Sequence, residues 1–416
     1  MQKRRSHTKS RKGCRPCKQQ HIKCDEQGPS CANCIARSTT CSYSNAVSRP
    51  TNHAKKLTIP REPPPRLSAH SSGSQRLLEL ELMHRWSTRT YLSVCSIPQD
   101  QPLMQHTVPQ RGLEYECLLH SLLALSSLDL ATTTAQAGGS NSTRSAAAYT
   151  RAAMEYYGKS IALFRREVSD ITYANHDSLY LISVLMSLIN IAALHFPRED
   201  AGGGAAATLP SVLESMPTIF SLLRGATLVG VRCGRWLVDS VESVRIIVAM
   251  GAAPPELLDG GTREALARLG AVNDGLHISA VCRRAGQATE DETRAHEMYA
   301  RAIEGLERCF AEEARGYIDG FLLSFPALAG REFGAAVQKG EPMALLVLMY
   351  FAVLMEWHGK KGWWATSIGT ALILEISEKL RRLQFTLVPG FQEAVLWAQQ
   401  QVGLPGLNGV TLPMTS

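Results

Sequence analysis

The chain has 416 residues, 45% of them hydrophobic, which fits a globular protein of two or three domains and excludes one too small to bury a core. Its formal net charge of +7 is unevenly distributed: residues 1–66 carry 15 Lys and Arg against 3 Asp and Glu, whereas the remainder carries 29 against 34. A basic segment attached to a mildly acidic body predicts a polyanionic partner for that segment.

Residues 1–12 form a basic arm that contains no apolar stretch, so we expect no secretory signal peptide. Six of the eleven cysteines follow at residues 14–41, and the other five are isolated among apolar residues along the rest of the chain. Isolated thiols of this kind are typical of a reducing compartment and argue against a disulfide framework.

The six clustered cysteines form an internal duplication, Cys-x2-Cys-x6-Cys, which begins once at Cys14 and again at Cys31. Two zinc ions with four ligands each need eight metal–sulfur bonds, so six thiolates suffice only if two sulfurs bridge the ions. Soft thiolates in a very small domain favour zinc, and two matched copies argue against a single Cys-x2-Cys redox motif. The pattern therefore predicts two Zn²⁺ ions, with the following metal ligands: Cys14, Cys17, Cys24, Cys31, Cys34 and Cys41.

The segment SRKGCRPCKQQHIKCDEQGPSCANCIARSTTCSY resembles the fungal binuclear zinc-cluster DNA-binding domain. Beyond the cysteines, the matching features are Arg11-Lys12-Gly13, Lys23-Cys24-Asp25-Glu26 and Pro29. The resemblance implies that residues 13–43 bind double-stranded DNA and that Cys14 and Cys31 are the bridging ligands. It also implies a nuclear RNA polymerase II transcription factor, and not an enzyme.

In this family the first helix enters the major groove, where the fourth residue after the second cysteine donates to guanine. That residue is His21 here, next to Gln20, although relatives commonly carry Lys or Arg at most of these positions. His donates to guanine N7 or O6, and Gln pairs well with adenine. We expect the nearby cations to bind phosphate: Arg11, Lys12, Arg15, Lys18 and Lys23.

Residues 44–75 are rich in Pro and Ser, which predicts a disordered linker. No heptad repeat lies between the cysteines and residue 76, so a homodimer would have to form through the body rather than through a coiled-coil stalk.

Residues 76–416 have apolar residues at helical spacing, with no signal for a strand ladder, and predict a large all-α domain. The stretches predicted to be helical are 76–94, 114–131, 143–168, 177–196, 211–224, 236–250, 288–310, 342–358, 363–383 and 391–402. The uncharged stretch Leu179–Phe196 is of marginal length for a membrane span, and we interpret it as a buried core helix.

Four body segments resemble the regulatory domain of fungal transcription factors related to the sterol uptake control protein: 78–94, 116–131, 152–165 and 341–369. The resemblance implies a helical effector domain, which binds a sterol in some relatives. Aromatic and methionine residues either line an apolar ligand pocket or pack in the core, and the helical spacing favours the core: Trp86, Tyr156, Tyr157, Met349, Trp363 and Trp364.

We find no catalytic motif. Gly158-Lys159-Ser160 matches the end of a P-loop, but Ala153 stands where that motif needs glycine. The leading hypothesis is a zinc-dependent transcription regulator of a metabolic gene set, such as a secondary-metabolite cluster or sterol and lipid genes, acting with coregulators or a sterol-like ligand. The alternatives are an enzyme with a nucleic-acid-binding zinc head and a helical scaffold whose zinc head binds protein.

Overall fold

The computed structural model describes residues 13–26, 30–42, 72–138, 144–197, 209–283, 288–382 and 388–405. The chain separates into two compact units, Met1–Leu67 and Ser68–Ser416. Within the described ranges both units are helical and contain no strand, which confirms the all-α prediction. The predicted arm 1–12, and the predicted linker as far as residue 71, lie outside the described residues.

The described residues of the first unit form two five-residue helices, α1 (Arg15–Gln19) and α2 (Ala32–Ala36). The described helices of the second unit are α3 (Ser72–Thr88), α4 (Val108–Glu114), α5 (Glu116–Gln136), α6 (Ala146–Glu167), α7 (His176–Ala192), α8 (Val212–Arg232), α9 (Gly234–Ser240), α10 (Glu242–Met250), α11 (Gly260–Arg283), α12 (Glu290–Arg315), α13 (Phe325–Lys339), α14 (Pro342–Gly359), α15 (Ile368–Arg382) and α16 (Phe391–Gln401). Short 3-10 turns and one π-helical turn, Leu103–Thr107, connect some of them.

Helix α14 lies at the centre of the second unit, and every residue from Met343 to Met355 is buried. Its sequence is apolar on all sides, as a helix surrounded by others requires. It contacts α12, α13, α15 and α16. Helix α15 approaches closely because Gly369 faces the carbonyl of Ala352, where a Cβ atom would overlap it.

The N-terminal part of the second unit is built around α5, which packs against α3, α6 and α7. Two tryptophans connect this part to the C-terminal helices: Trp363 Nε1 donates to Ser93 Oγ at 3.0 Å, and Trp364 Nε1 donates to Ser93 O at 2.9 Å. Most buried residues between α3 and α16 form one continuous hydrophobic cluster. A smaller cluster lies beside α9 and contains Leu179, Val229, Cys233, Leu237 and Val241.

Among the described residues, three helices are long and apolar enough to cross a membrane by length and composition: α7 with its following turn, α8 and α14. The share of each that is buried inside the protein is 72%, 44% and 78% respectively. The stretch that we interpret as a core helix, Leu179–Phe196, falls largely in α7, and its burial is what packing as a core helix requires.

The structure also contains helices that the sequence patterns did not predict, namely α4, α11 and α13. Helix α11 begins at Gly260-Gly261 and includes Gly270 and Gly275, residues that lower helix propensity. Helix α13 contains Pro326 near its start and is interrupted at Gly330, whose φ is 87°. The predicted helix 236–250 is two helices, because Val241 is extended between α9 and α10.

Candidate metal centre and nucleic-acid interface

The two halves of the cysteine module have the same backbone conformation. Cys14 and Cys31 precede α1 and α2 in extended conformations, with ψ of 157° and 152°. The chain leaves each helix through a left-handed residue, His21 (φ 57°) or Ser38 (φ 49°). The sequence duplication is therefore a structural duplication.

Equivalent hydrogen bonds close the two halves. The N–H of Ile22 donates to Cys17 O at 3.1 Å, and the N–H of Thr39 donates to Cys34 O at 3.0 Å. At the start of each half, a backbone N–H points to that half's third sulfur, from Cys14 to Cys24 at 3.5 Å and from Cys31 to Cys41 at 3.4 Å.

The six sulfurs form two overlapping groups of four. Within each group the Sγ atoms all lie within 4.8 Å of one another, and Cys14 and Cys31 belong to both groups. The sulfur of Cys14 lies 3.7 Å from that of Cys31, and Cys17 Sγ lies 3.6 Å from Cys31 Sγ. Tetrahedral zinc with bonds of about 2.3 Å separates its sulfur ligands by about 3.8 Å, so the arrangement fits two zinc ions sharing two sulfurs.

Three of these thiols have a raised pKa and are harder to ionise than an ordinary cysteine. Burial raises the pKa of Cys17 to about 12 and also raises the pKa of Cys34 and Cys14. The pKa of Cys41 is lowered instead, chiefly because its sulfur accepts the Cys31 N–H. Because zinc binds the thiolate, metal binding must release protons from this cluster.

The predicted DNA-contacting residues within the described range extend from Arg15, the first residue of α1, to Lys23 in the segment after the helix. These side chains are all exposed: Arg15, Lys18, Gln20, His21 and Lys23. Of these residues only Arg15 and Lys18 lie on α1 itself, because α1 ends at Gln19 and Gln20 is its C-cap. Arg11 and Lys12 lie outside the described residues.

Side chains of one half also bond to the other half. Asn33 Nδ2 donates to the carbonyl of Lys23 at 2.8 Å, and Asp25 Oδ2 accepts the N–H of Ala32 at 3.0 Å. Arg37 Nη1 donates to Gln20 Oε1. The sequence analysis did not predict this last contact. The duplication could have indicated it, because Gln20 and Arg37 occupy equivalent positions, one residue before the left-handed residue of each half.

Comparison with known proteins identifies the module. Residues 12–50 match the family model described as the fungal Zn(2)-Cys(6) binuclear cluster domain. The N-terminal module belongs to this zinc-cluster family. The zinc-cluster module therefore binds two zinc ions, as its duplicated cysteines predict.

The similarity to other proteins extends beyond the zinc-cluster module. A Zn(2)-C6 fungal-type transcription factor of Gibberella zeae is 26% identical over 476 aligned residues, covering 99% of this chain and 89% of that protein. The Zn(2)-C6 fungal-type transcription factor afumD of Aspergillus fumigatus is 28% identical over 134 residues, or 30% of this chain and 34% of that protein. Sterol uptake control protein 2 of Candida albicans is 42% identical over 62 residues, or 15% of this chain and 9% of that protein.

The matched domain family and the similarity to two Zn(2)-C6 transcription factors support a DNA-binding transcription factor rather than an enzyme with a zinc head. The P-loop-like tripeptide agrees with this, because Ser160 is buried in α6 and its hydroxyl donates to the carbonyl of Cys117 at 3.0 Å. It does not form a phosphate-binding loop.

Most of the aromatic and methionine side chains considered as the lining of a ligand pocket are packed in the core of the body. Trp86, Tyr156, Met349 and Trp364 are each at most 2% exposed. The indole N–H of Trp86 donates to Met104 O at 2.8 Å. An open groove between α8, α13 and α15 is lined by none of these residues.

Proposed function

We propose that this chain is a nuclear, zinc-dependent and sequence-specific regulator of RNA polymerase II transcription, in which the six clustered cysteines are the ligands of two Zn²⁺ ions. The observation that supports it most directly is that two groups of four thiols share Cys14 and Cys31. These two residues would bridge the ions, and the other four would each bind one.

When bound, zinc supplies most of the folding free energy of so small a module, since structural zinc in finger peptides is worth about 10–16 kcal/mol. The chain's own residues then contact DNA. Arg15, Lys18 and Lys23 are exposed cations for phosphate, and Arg11 and Lys12 extend this set. Gln20 and His21 are the polar side chains placed to contact base edges at the end of α1.

In this proposal residues 13–43 are the DNA-binding domain, 44–75 a linker and 76–416 the effector domain. The separation into compact units after Leu67 and the start of α3 at Ser72 support a boundary close to residue 75. The effector domain has its own continuous hydrophobic core, so neither its folding nor its regulatory role depends on zinc in this proposal. We assign it contacts with coregulators, an apolar ligand and a second copy of the chain, and no membrane span.

The regulated genes in this proposal form a metabolic set, such as a secondary-metabolite cluster or sterol and lipid genes. The name of the Candida albicans relative, a sterol uptake control protein, supports sterol genes as the regulated set, and its similarity spans 15% of this chain.

DNA binding by the zinc-loaded full chain tests the proposal. Cys24→Ala removes one thiol of the cluster, and we expect it to abolish sequence-specific binding. Cys282→Ala is the matched control, because Cys282 is an exposed thiol on α11. Specific binding that survives in Cys24→Ala would overturn the proposal; loss of binding in both variants would show that the effect does not come from the cluster.

A further inference from the structure

The contact between Gln20 and Arg37 joins the two halves of the module at their equivalent positions. Gln20 is the C-cap of α1 and Arg37 is the C-cap of α2, and both side chains are exposed. The carboxamide of Gln20 accepts a hydrogen bond from Arg37 Nη1. The guanidinium therefore holds a side chain that the proposed function places against DNA.

The chemistry of arginine determines which carboxamide atom faces it. Arginine has N–H donors and no acceptor, so the atom of Gln20 that faces Arg37 must be the oxygen. This leaves the NH₂ group of Gln20 as its outward-facing group. Arg37 takes part in no ion pair within the described residues of the module, and its remaining N–H groups keep their positive charge exposed.

Adenine and guanine make opposite demands on glutamine. The two-point contact with adenine uses the side-chain oxygen to accept from N6 and the NH₂ group to donate to N7. Guanine presents two acceptors in the major groove, O6 and N7, and requires donors. The oxygen of Gln20 has a second lone pair, but because Arg37 holds that oxygen towards the second half of the module, the NH₂ group is the group left to face a base edge. An NH₂ donor alone matches the two acceptors of guanine and not the N6 donor of adenine.

We propose that Arg37 is a specificity-determining residue that fixes the Gln20 carboxamide as a hydrogen-bond donor, so that Gln20 selects guanine rather than adenine. This inference rests on the proposed function, because it requires the end of α1 to meet base edges. It assigns a role in DNA recognition to the second half of the module. Arg37 acts as a positioning residue, and its charge also adds to the attraction for DNA.

Binding-site selection with the zinc-loaded full chain tests this inference, with Arg37→Ala compared with wild type. We expect the guanine-over-adenine ratio at one position of the selected site to fall about fivefold or more in the variant, since one good base contact is worth about that much discrimination. Ser38→Ala is the control, because Ser38 is the exposed neighbour of Arg37 and makes no contact with Gln20 among the described residues.

A double-variant comparison identifies the route of the effect. If Arg37 acts through Gln20, Arg37→Ala will change base preference in the wild-type background but not in a Gln20→Ala background. Zinc content must equal that of wild type in each variant. If Arg37→Ala loses zinc, Gln20→Glu is used as the test variant instead. Glutamate offers only acceptors, so we expect this variant to lose the preference for guanine and to prefer cytosine, whose N4 is a donor.

Two outcomes would overturn the inference. One is an unchanged base preference in Arg37→Ala and Gln20→Glu. The other is an equal loss of affinity for all DNA sequences in Arg37→Ala. In that case the slope of log affinity against log salt concentration would also fall by about one, which is the signature of a lost phosphate contact. If the wild-type chain selects no sequence at all, the proposed function itself fails, and this outcome is distinct from both.

Discussion

Arg85 and Asp129 form a two-point ion pair that joins α3 to α5. Arg85 Nε lies 2.8 Å from Asp129 Oδ2, and Arg85 Nη2 lies 2.9 Å from Oδ1. The carboxylate is buried, with Asp129 only 1% exposed, and it also accepts from Thr90 Oγ1 at 2.7 Å. Its charge is therefore satisfied by neighbouring side chains rather than by water.

We expect Arg85→Met to destabilise the body by up to about 3–5 kcal/mol, because it leaves a buried carboxylate with only the exposed Arg89, 4.0 Å from Oδ1, as counter-charge. The exposed pair of Lys159 and Glu155 on α6 provides the control. Glu155→Gln should cost less than about 1 kcal/mol, since surface pairs contribute little. Denaturant unfolding followed by helical circular dichroism measures both; equally small losses would show that the buried pair does not organise α3 against α5.

The close packing of α15 on α14 gives a second prediction. A Cβ atom at Gly369 would overlap the carbonyl of Ala352 and crowd Glu356, whereas one at Gly158 of α6 would meet nothing within 4 Å. Gly369→Ala should therefore destabilise the body by about 1–3 kcal/mol through overpacking. Gly158→Ala should stabilise it by about 0.5–1 kcal/mol through helix propensity. The same unfolding experiment measures the change in the free energy of unfolding for both variants. Stabilisation by Gly369→Ala would contradict the close approach of α15 to α14.

His358 gives a prediction about pH. Its ring is 4% exposed and lies 4.8 Å from the Trp364 ring between centroids. Neither ring nitrogen has a hydrogen-bond partner within the described residues. Burial lowers the pKa of His358 below its usual value of 6.5. As the pH falls below about 6.5, His358 is protonated in the unfolded chain at a higher pH than in the folded chain. Its contribution to the free energy of unfolding is therefore complete above about pH 6.5 and decreases below it.

His358→Phe should therefore reduce the loss of stability between pH 7.5 and pH 5, while the stability at pH 7.5 stays the same or rises because an unpaired polar ring is removed. Thermal unfolding at several pH values measures the change. His106→Phe is the control, since His106 is exposed and should leave the slope as it is in wild type. Identical pH profiles for wild type and His358→Phe would rule out this contribution.

The sequence predicted some parts of this molecule well for a physical reason. The zinc cluster was predictable because the ligand chemistry restricts both residue type and spacing, and α14 was predictable because a long apolar run must be buried. Helices α11 and α13 were not, since their glycines oppose local helix formation. These helices are held by the tertiary packing of buried residues such as Leu269 and Phe333.

The end of α1, which we propose contacts DNA, was predictable only in part. The residue types at Gln20 and His21 marked the site, but the left-handed backbone of His21 and the bond from Arg37 arise from how the two halves fold together. A residue with positive φ in each half allows the chain to turn back towards its third cysteine.

The two left-handed residues form a matched pair for mutation. His21 and Ser38 are equivalent in backbone conformation and both are exposed, but only His21 follows α1. We expect His21→Ala to weaken binding to the selected DNA site by about fivefold or more through loss of a base contact, and Ser38→Ala to leave it unchanged. His21→Lys should alter the preferred base at one position. Equal affinities and an unchanged site in all three variants would show that His21 contacts no base.

The central claim is that six cysteines hold two zinc ions and that Cys14 and Cys31 bridge them. Native mass spectrometry of the intact zinc-loaded chain tests it most directly, with Cys282→Ser as the control. We expect two zinc ions in wild type and in Cys282→Ser. Cys14→Ser should weaken the retention of both ions, whereas Cys24→Ser should weaken chiefly one, because Cys14 belongs to both groups of thiols and Cys24 to a single group. One zinc ion in the wild-type chain, or two ions retained equally well by Cys14→Ser, would contradict the account.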